Sequence, residues 1–130
     1  MTSYKTTDYA IGVVYGLLSS ITVPKYRQTK PTPKASDAVI PEYVVINALP
    51  INMDVMQKCI VNVNYHVKDI APGVKDTTKI EAGSAAVMAI LNEVLTATYQ
   101  IDIESQKTFR EEKLGEHFSN MRFSFKLINN

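Results

Sequence analysis

The sequence predicts an α+β domain in which a single mixed or antiparallel sheet of about four to five strands packs against two helices, with extended loops. Three observations carry that prediction. The segment from Cys59 to Lys68, CIVNVNYHVK, alternates strictly, with Cys59, Val61, Val63, Tyr65 and Val67 apolar against Asn62, Asn64, His66 and Lys68. A period of two sends successive side chains to opposite faces, so this strand has one dry face and one polar face. Met121, Phe123, Phe125 and Leu127 alternate in the same way with Arg122, Ser124 and Lys126. Two other stretches, residues 7 to 21 and the run that begins near Thr78, repeat their apolar residues at helical spacing, and such helices bury their stripes on the dry face of a sheet.

The elements follow in order. In the first helix, Thr7 or Asp8 caps the free amides, and Ile11, Val14, Tyr15, Leu18 and Ile21 form a stripe that Val13 and Leu17 widen. Val23-Pro24 ends it. A helix this apolar is either pressed between the sheet and a neighbour or partly buried by oligomerisation. From Lys25 to Ser36, KYRQTKPTPKAS carries Lys25, Arg27, Lys30 and Lys34 with no acidic residue, and Pro31 and Pro33 exclude a regular central strand. This is an exposed basic arm or loop. It is either a solvated connection or a segment that touches a neighbouring subunit or a phosphate backbone, with Tyr26 between two cations as an anchor for either contact.

Glu42 to Leu49 is β-rich and apolar on both faces, as a central strand is, and Pro50 stops it. After the Cys59 to Lys68 strand comes a loop, Ile70 to Val74. Thr78 and Glu81 then have capping-box spacing, which starts the second helix near Thr78. Its stripe is Ile80, Gly83, Val87, Ile90, Leu91, Val94 and Leu95, and Gly83 to Ala86 make one end thin enough to lie close on a sheet. Tyr99 to Glu104 alternates as a strand. Ser105 to Asn120, SQKTFREEKLGEHFSN, is strongly charged and is either a long hairpin tip or a short helix, with Gly115 at its turn.

A chain of 130 residues suits one domain, residues 1 to 130, and 45% hydrophobic with 21% charged residues suits a globular one. The net charge of +1 excludes a nucleic-acid binder driven by overall charge while leaving room for a local basic patch. Cys59 is the only cysteine, so no intramolecular disulfide is available, and its place on the apolar side of a strand predicts a buried, inert thiol in a reducing, cytoplasmic setting. The apolar run Ala10 to Ile21 is too short to span a bilayer and lacks the basic flank and cleavage site of a secretory leader.

The chemistry of a catalyst is missing from the pattern. His66 and His117 are the only histidines, there is neither CxxC nor HExxH, and no cofactor or metal is expected. Cys59 and His66 point to opposite faces of one strand, which rules out their pairing as nucleophile and base. Five glycines include no phosphate-binding loop. The row Asn62, Asn64, His66 is either a sheet face bonded to an adjoining subunit or to water, or the lining of a small-ligand site. The chain therefore reads as an assembly part and not an enzyme.

The amphipathic opening helix, the Pro-rich basic connection, EYVVINALPIN, IVNVNYHVKD, the APG loop, the second helix and the closing RFSFKLIN together resemble the tail terminator and head-tail joining proteins of tailed bacteriophages. The resemblance rests on element order and strand style across nearly the whole chain. It implies a virion protein, assembled in the host cytoplasm and located in the tail or neck. There it would form a homo-oligomeric ring, commonly of six copies, around the DNA channel between the tail tube and the head-completion or connector proteins, with no membrane partner. Lys25, Arg27, Lys30 and Lys34 match the family's exposed basic connection, facing DNA or a neighbouring subunit. The turn containing Arg110, Glu111, Glu112 and Lys113 matches a protruding hairpin with inter-subunit contacts. Ring proteins of short-tailed phage tails are built similarly, and a small oligomeric cytoplasmic ligand-binding module is the competing class.

Overall fold

A computed structural model of the protein describes residues 4–30 and 40–128. The elements run α1 (Thr7–Leu17), β1 (Lys25–Arg27), β2 (Glu42–Ala48), β3 (Met56–Lys68), α2 (Thr77–Leu91), β4 (Val94–Leu95), β5 (Tyr99–Glu111), a single 3-10 turn (Glu112–Leu114) and β6 (Glu116–Ile128). Among the described residues the strands form one six-stranded sheet in the order β1-β2-β3-β6-β5-β4. β1 lies parallel to β2, and every other neighbouring pair is antiparallel, so the sheet is mixed.

Six strands replace the four to five expected, because both edge strands are too short to show a period. Lys25–Arg27, expected in an arm, is held beside β2 by Val44 N–H donating to the Pro24 carbonyl at 2.9 Å and Gln28 N–H donating to the Ile46 carbonyl at 2.7 Å. The prolines that argued against a strand come only after it. Val94 and Leu95, expected in the stripe of the second helix, follow the break at Asn92 and Glu93, where Glu93 turns to a positive φ of 55°.

Both helices are capped earlier than expected. The Thr6 side chain accepts the Tyr9 N–H at 3.3 Å and starts α1, in place of Thr7 or Asp8. Asp76 accepts the Lys79 N–H at 3.1 Å and starts α2, in place of the Thr78 box. In both, a short oxygen-bearing side chain takes up an amide that has no intrahelical partner. α1 stops at Leu17 and not at Ile21, where Ser19 and Ser20 interrupt the run and the chain tightens through Ser19 N–H to the Gly16 carbonyl.

The two helices lie on one face of the sheet, α1 against β1 and β2, α2 against β3, β6 and β5. Between them and the sheet sits the core: Ile11, Val14 and Leu18 from α1, Ile80, Val87 and Leu91 from α2, and Val61, Val63, Phe123 and Phe125 from the central strands. Burying side chains of this size contributes roughly 1.5–3 kcal/mol each. Gly83 lets α2 settle onto the sheet, since a Cβ there would stand 2.3 Å from Cε1 of Tyr65. Tyr65 is fixed in turn by its hydroxyl, which donates to Glu42 at 3.0 Å.

β5 and β6 form a hairpin closed by the 3-10 turn and by Gly115 at φ 62°. β3 accompanies β6 from Met56 opposite Ile128 to Lys68 opposite Glu116, so only the turn extends past the sheet. A bulge interrupts β5 between Ile103 and Ser105, and β4 covers only Gln100 and Ile101 of its outer edge. No helix among the described residues is long and apolar enough to cross a membrane.

Candidate functional site

The chemistry concentrates on the sheet face opposite the helices. Antiparallel register places Tyr43 across from His66, His66 across from Phe118, and Phe118 across from Phe109. The result is an aromatic rung over four adjacent strands. Tyr43 and His66 stack at 4.4 Å between centroids, His66 and Phe118 at 4.7 Å, and Phe118 and Phe109 at 5.4 Å, while Tyr26 meets Tyr43 edge-on at 6.1 Å. A cation sits at each end, with Lys30 Nζ 4.2 Å from the Tyr43 ring centre and Lys107 Nζ 5.3 Å from that of Phe109. Stacked and cation-capped rings of this kind attract through their quadrupoles as well as through burial.

Glu116 is the polar anchor of the rung. Its side chain is only 7% exposed, its Oε1 accepts the Tyr43 hydroxyl, and the same oxygen lies 2.8 Å from Nδ1 of His66. Burial first, and then the bond to Glu116, push the Tyr43 hydroxyl far above its usual range, so it stays protonated and donates. A second pair, His117 Nδ1 with Asp69 Oδ1 at 2.6 Å, lies at the same end of the sheet.

Beside the rung runs an amide ladder. Asn62 Nδ2 donates to Asn47 Oδ1 at 3.0 Å, and Asn120 Nδ2 donates to Asn64 Oδ1 at 2.7 Å and to Asn62 Oδ1 at 3.3 Å. Next to it, Arg122 Nε is buried without a hydrogen-bond partner.

The expected polar row is thus present, but Asn62, Asn64 and His66 are occupied with each other's neighbours on the same sheet. They line none of four cavities among the described residues, whose walls include Met56 with Tyr99, Lys75 with Gln106, Ser20 with Tyr65, and Lys68 with Gly115. Among the described residues, no group of three or more His, Cys, Asp or Glu side chains is placed to hold a metal ion. Cys59 is buried in the core, which pushes its thiol up to about 11.

The basic connection is divided. Lys25 and Arg27 turn to the α1 side, over Tyr15 at 5.9 Å and 4.4 Å, and Lys25 Nζ donates to the Ile21 carbonyl at 2.5 Å. Lys30 goes to the opposite side, over Tyr43, and Lys34 lies outside the described residues. At the turn, Arg110 and Glu112 stand 3.6 Å apart with side chains 52% and 80% exposed, and Glu111 lies opposite Glu116 at the end of the hairpin. Lys113 sits in the exposed turn.

Sequence reasoning missed the rung. Phe109 and Phe118 each stand in phase with polar positions of their strands, which is the signal that could have found it, whereas Tyr43 lies in a strand that is apolar on both faces. The signal acquires meaning only when the register of four strands is known.

No protein-family model matches the chain, and no curated protein sequence does. Solved structures do match. One is a chain of the virion of a native gene transfer agent particle, with a TM-score of 0.55 over 94% of this chain and 99% of that one, at 19% identity. The likeness shows a shared fold, carried from end to end of the neighbour.

Proposed function

We propose that the protein is a structural component of a phage-like virion, in the manner of tail terminator and head-tail joining proteins, and not an enzyme. The observation that carries this reading is the fold shared with a virion chain over 94% of this chain and 99% of that one. Near-complete coverage on both sides means that the whole domain, and not a common sheet motif, is what the two have in common. In this reading the protein forms a closed homo-oligomeric ring, of six copies, around the DNA channel of the neck. Its other partners are the tail tube and the head-completion or connector proteins.

Ring closure requires a heterologous contact repeated around an axis. The turn at Arg110, Glu111, Glu112 and Lys113 supplies one side of it, where mixed signs fix register more than they add affinity. Electron microscopy and mass measurement of assembled particles test the reading: a ring of this chain is the expected result, and a monomer within the complex overturns it. Glu111→Lys with Glu112→Lys should block assembly while leaving circular dichroism unchanged.

A further inference from the structure

We infer that the helix-free face of the sheet is the surface that meets nucleic acid, with the phosphate backbone lying along β3 and β6; this rests on the virion reading above. By register, that face presents Lys58 opposite Lys126, with Arg122 and Lys107 on the adjoining rows. Its carboxylates are Asp102 and Glu111, with Glu104 at the bulge and Glu116 already engaged by Tyr43 and His66. The ion pairs among the described residues are His66 with Glu116, Arg110 with Glu112 and His117 with Asp69. None of them neutralises Lys58, Lys107, Arg122 or Lys126.

Arg122 adds an independent observation, since its Nε is buried and has no acceptor. Such an unpaired donor leaves the Arg122 charge uncompensated within the described residues. Between these cations lie the Asn62, Asn64 and Asn120 amides, which offer polar contacts without reading sequence. β3 is 13 residues long, so the face extends about 40 Å at the usual rise per residue. That is slightly more than one turn of duplex.

The chemistry selects against other occupants. An acyl surface would have to desolvate the amide ladder and the cations beside it. An acidic protein could satisfy one copy of the patch. Around a ring the same cations recur at every subunit, and a long polyanion satisfies them all through repetition.

The test uses assembled, DNA-containing particles. Mass spectrometry first establishes whether the unaltered chain is a particle component; its absence overturns the virion reading and this inference with it. A photoreactive p-benzoylphenylalanine is then placed at Ser124, on the helix-free face, or at Ala89, exposed on α2. DNA adducts from Ser124 at least about ten-fold above those from Ala89 support the inference. Adducts from Ser124 to another virion protein, or equal DNA yields from both positions, overturn it while leaving the virion reading intact. In parallel, Lys58→Gln, Lys107→Gln, Arg122→Gln and Lys126→Gln are combined and compared with Lys75→Gln plus Lys79→Gln. The fourfold variant should lower DNA retention about ten-fold or more with circular dichroism unchanged, as the loss of several phosphate contacts implies. Retention equal to the parent overturns the inference.

Discussion

The two faces of this sheet use the same strands and bury their side chains by different means. Toward the helices, Val61, Val63, Phe123 and Phe125 are sealed by an apolar layer that needs no particular partner geometry. On the other face, Tyr43 is just as buried, at 2% exposure, yet it is held by a stacked imidazole, a carboxylate and a lysine. The first arrangement tolerates volume-conserving exchange, whereas the second depends on each polar group keeping its partner. One sheet thus carries a face for stability and a face whose chemistry is specific.

Breaking the comparison begins with the core. Phe123→Ala should cost about 3–5 kcal/mol, since it removes a ring and leaves a cavity between α2 and the sheet. Urea denaturation measures it. Glu116→Ala on the other face should cost about 1–3 kcal/mol, because the Tyr43 hydroxyl and His66 lose their shared acceptor inside a buried rung. The phenol and imidazole signals of these residues in NMR spectra should move together, which a purely apolar loss would not produce.

The smallest effect at neutral pH comes from Cys59, whose folded thiol sits at about 11 against an ordinary value of 9.0. A raised folded value means that the native state holds the proton more tightly. The associated stability is fully present below the unfolded value and is lost as pH rises through about 11. Iodoacetamide at pH 8 should therefore leave folded protein unmodified and label it only on denaturation. Rapid labelling of the folded form would place Cys59 outside the helix-covered core.

Much of the helix-covered face was legible in the sequence, because burial against one layer imposes a period. Val61, Val63 and Val67 alternate, and so do Phe123, Phe125 and Leu127, and each occupies the core as its phase requires. β5 was legible only as far as Glu104. Beyond it the bulge shifts the phase, and Ser105, Gln106 and Lys107 are exposed whichever way they point. The candidate face was half legible. Asn62, Asn64 and His66 announced a polar surface, but the rung combines residues from four strands, and two of them, Phe109 and Phe118, lie in the charged segment that reads as either a hairpin tip or a short helix. Pairing between distant strands is a tertiary property that local spacing does not encode.

The incomplete cover of β5 has a consequence for self-association of the chain. β4 pairs only with Gln100 and Ile101 and the Asn92 side chain takes up the Ile103 amide, so the strand beyond the bulge presents an unpaired edge of the kind that recruits other chains into fibrils. The bulge at Ile103 and Ser105 twists that edge away from straight addition, and Lys107 and Arg110 make stacking of identical copies repulsive. Together they act as gatekeepers. The strand that is easiest to extend is thereby also the one least able to template itself.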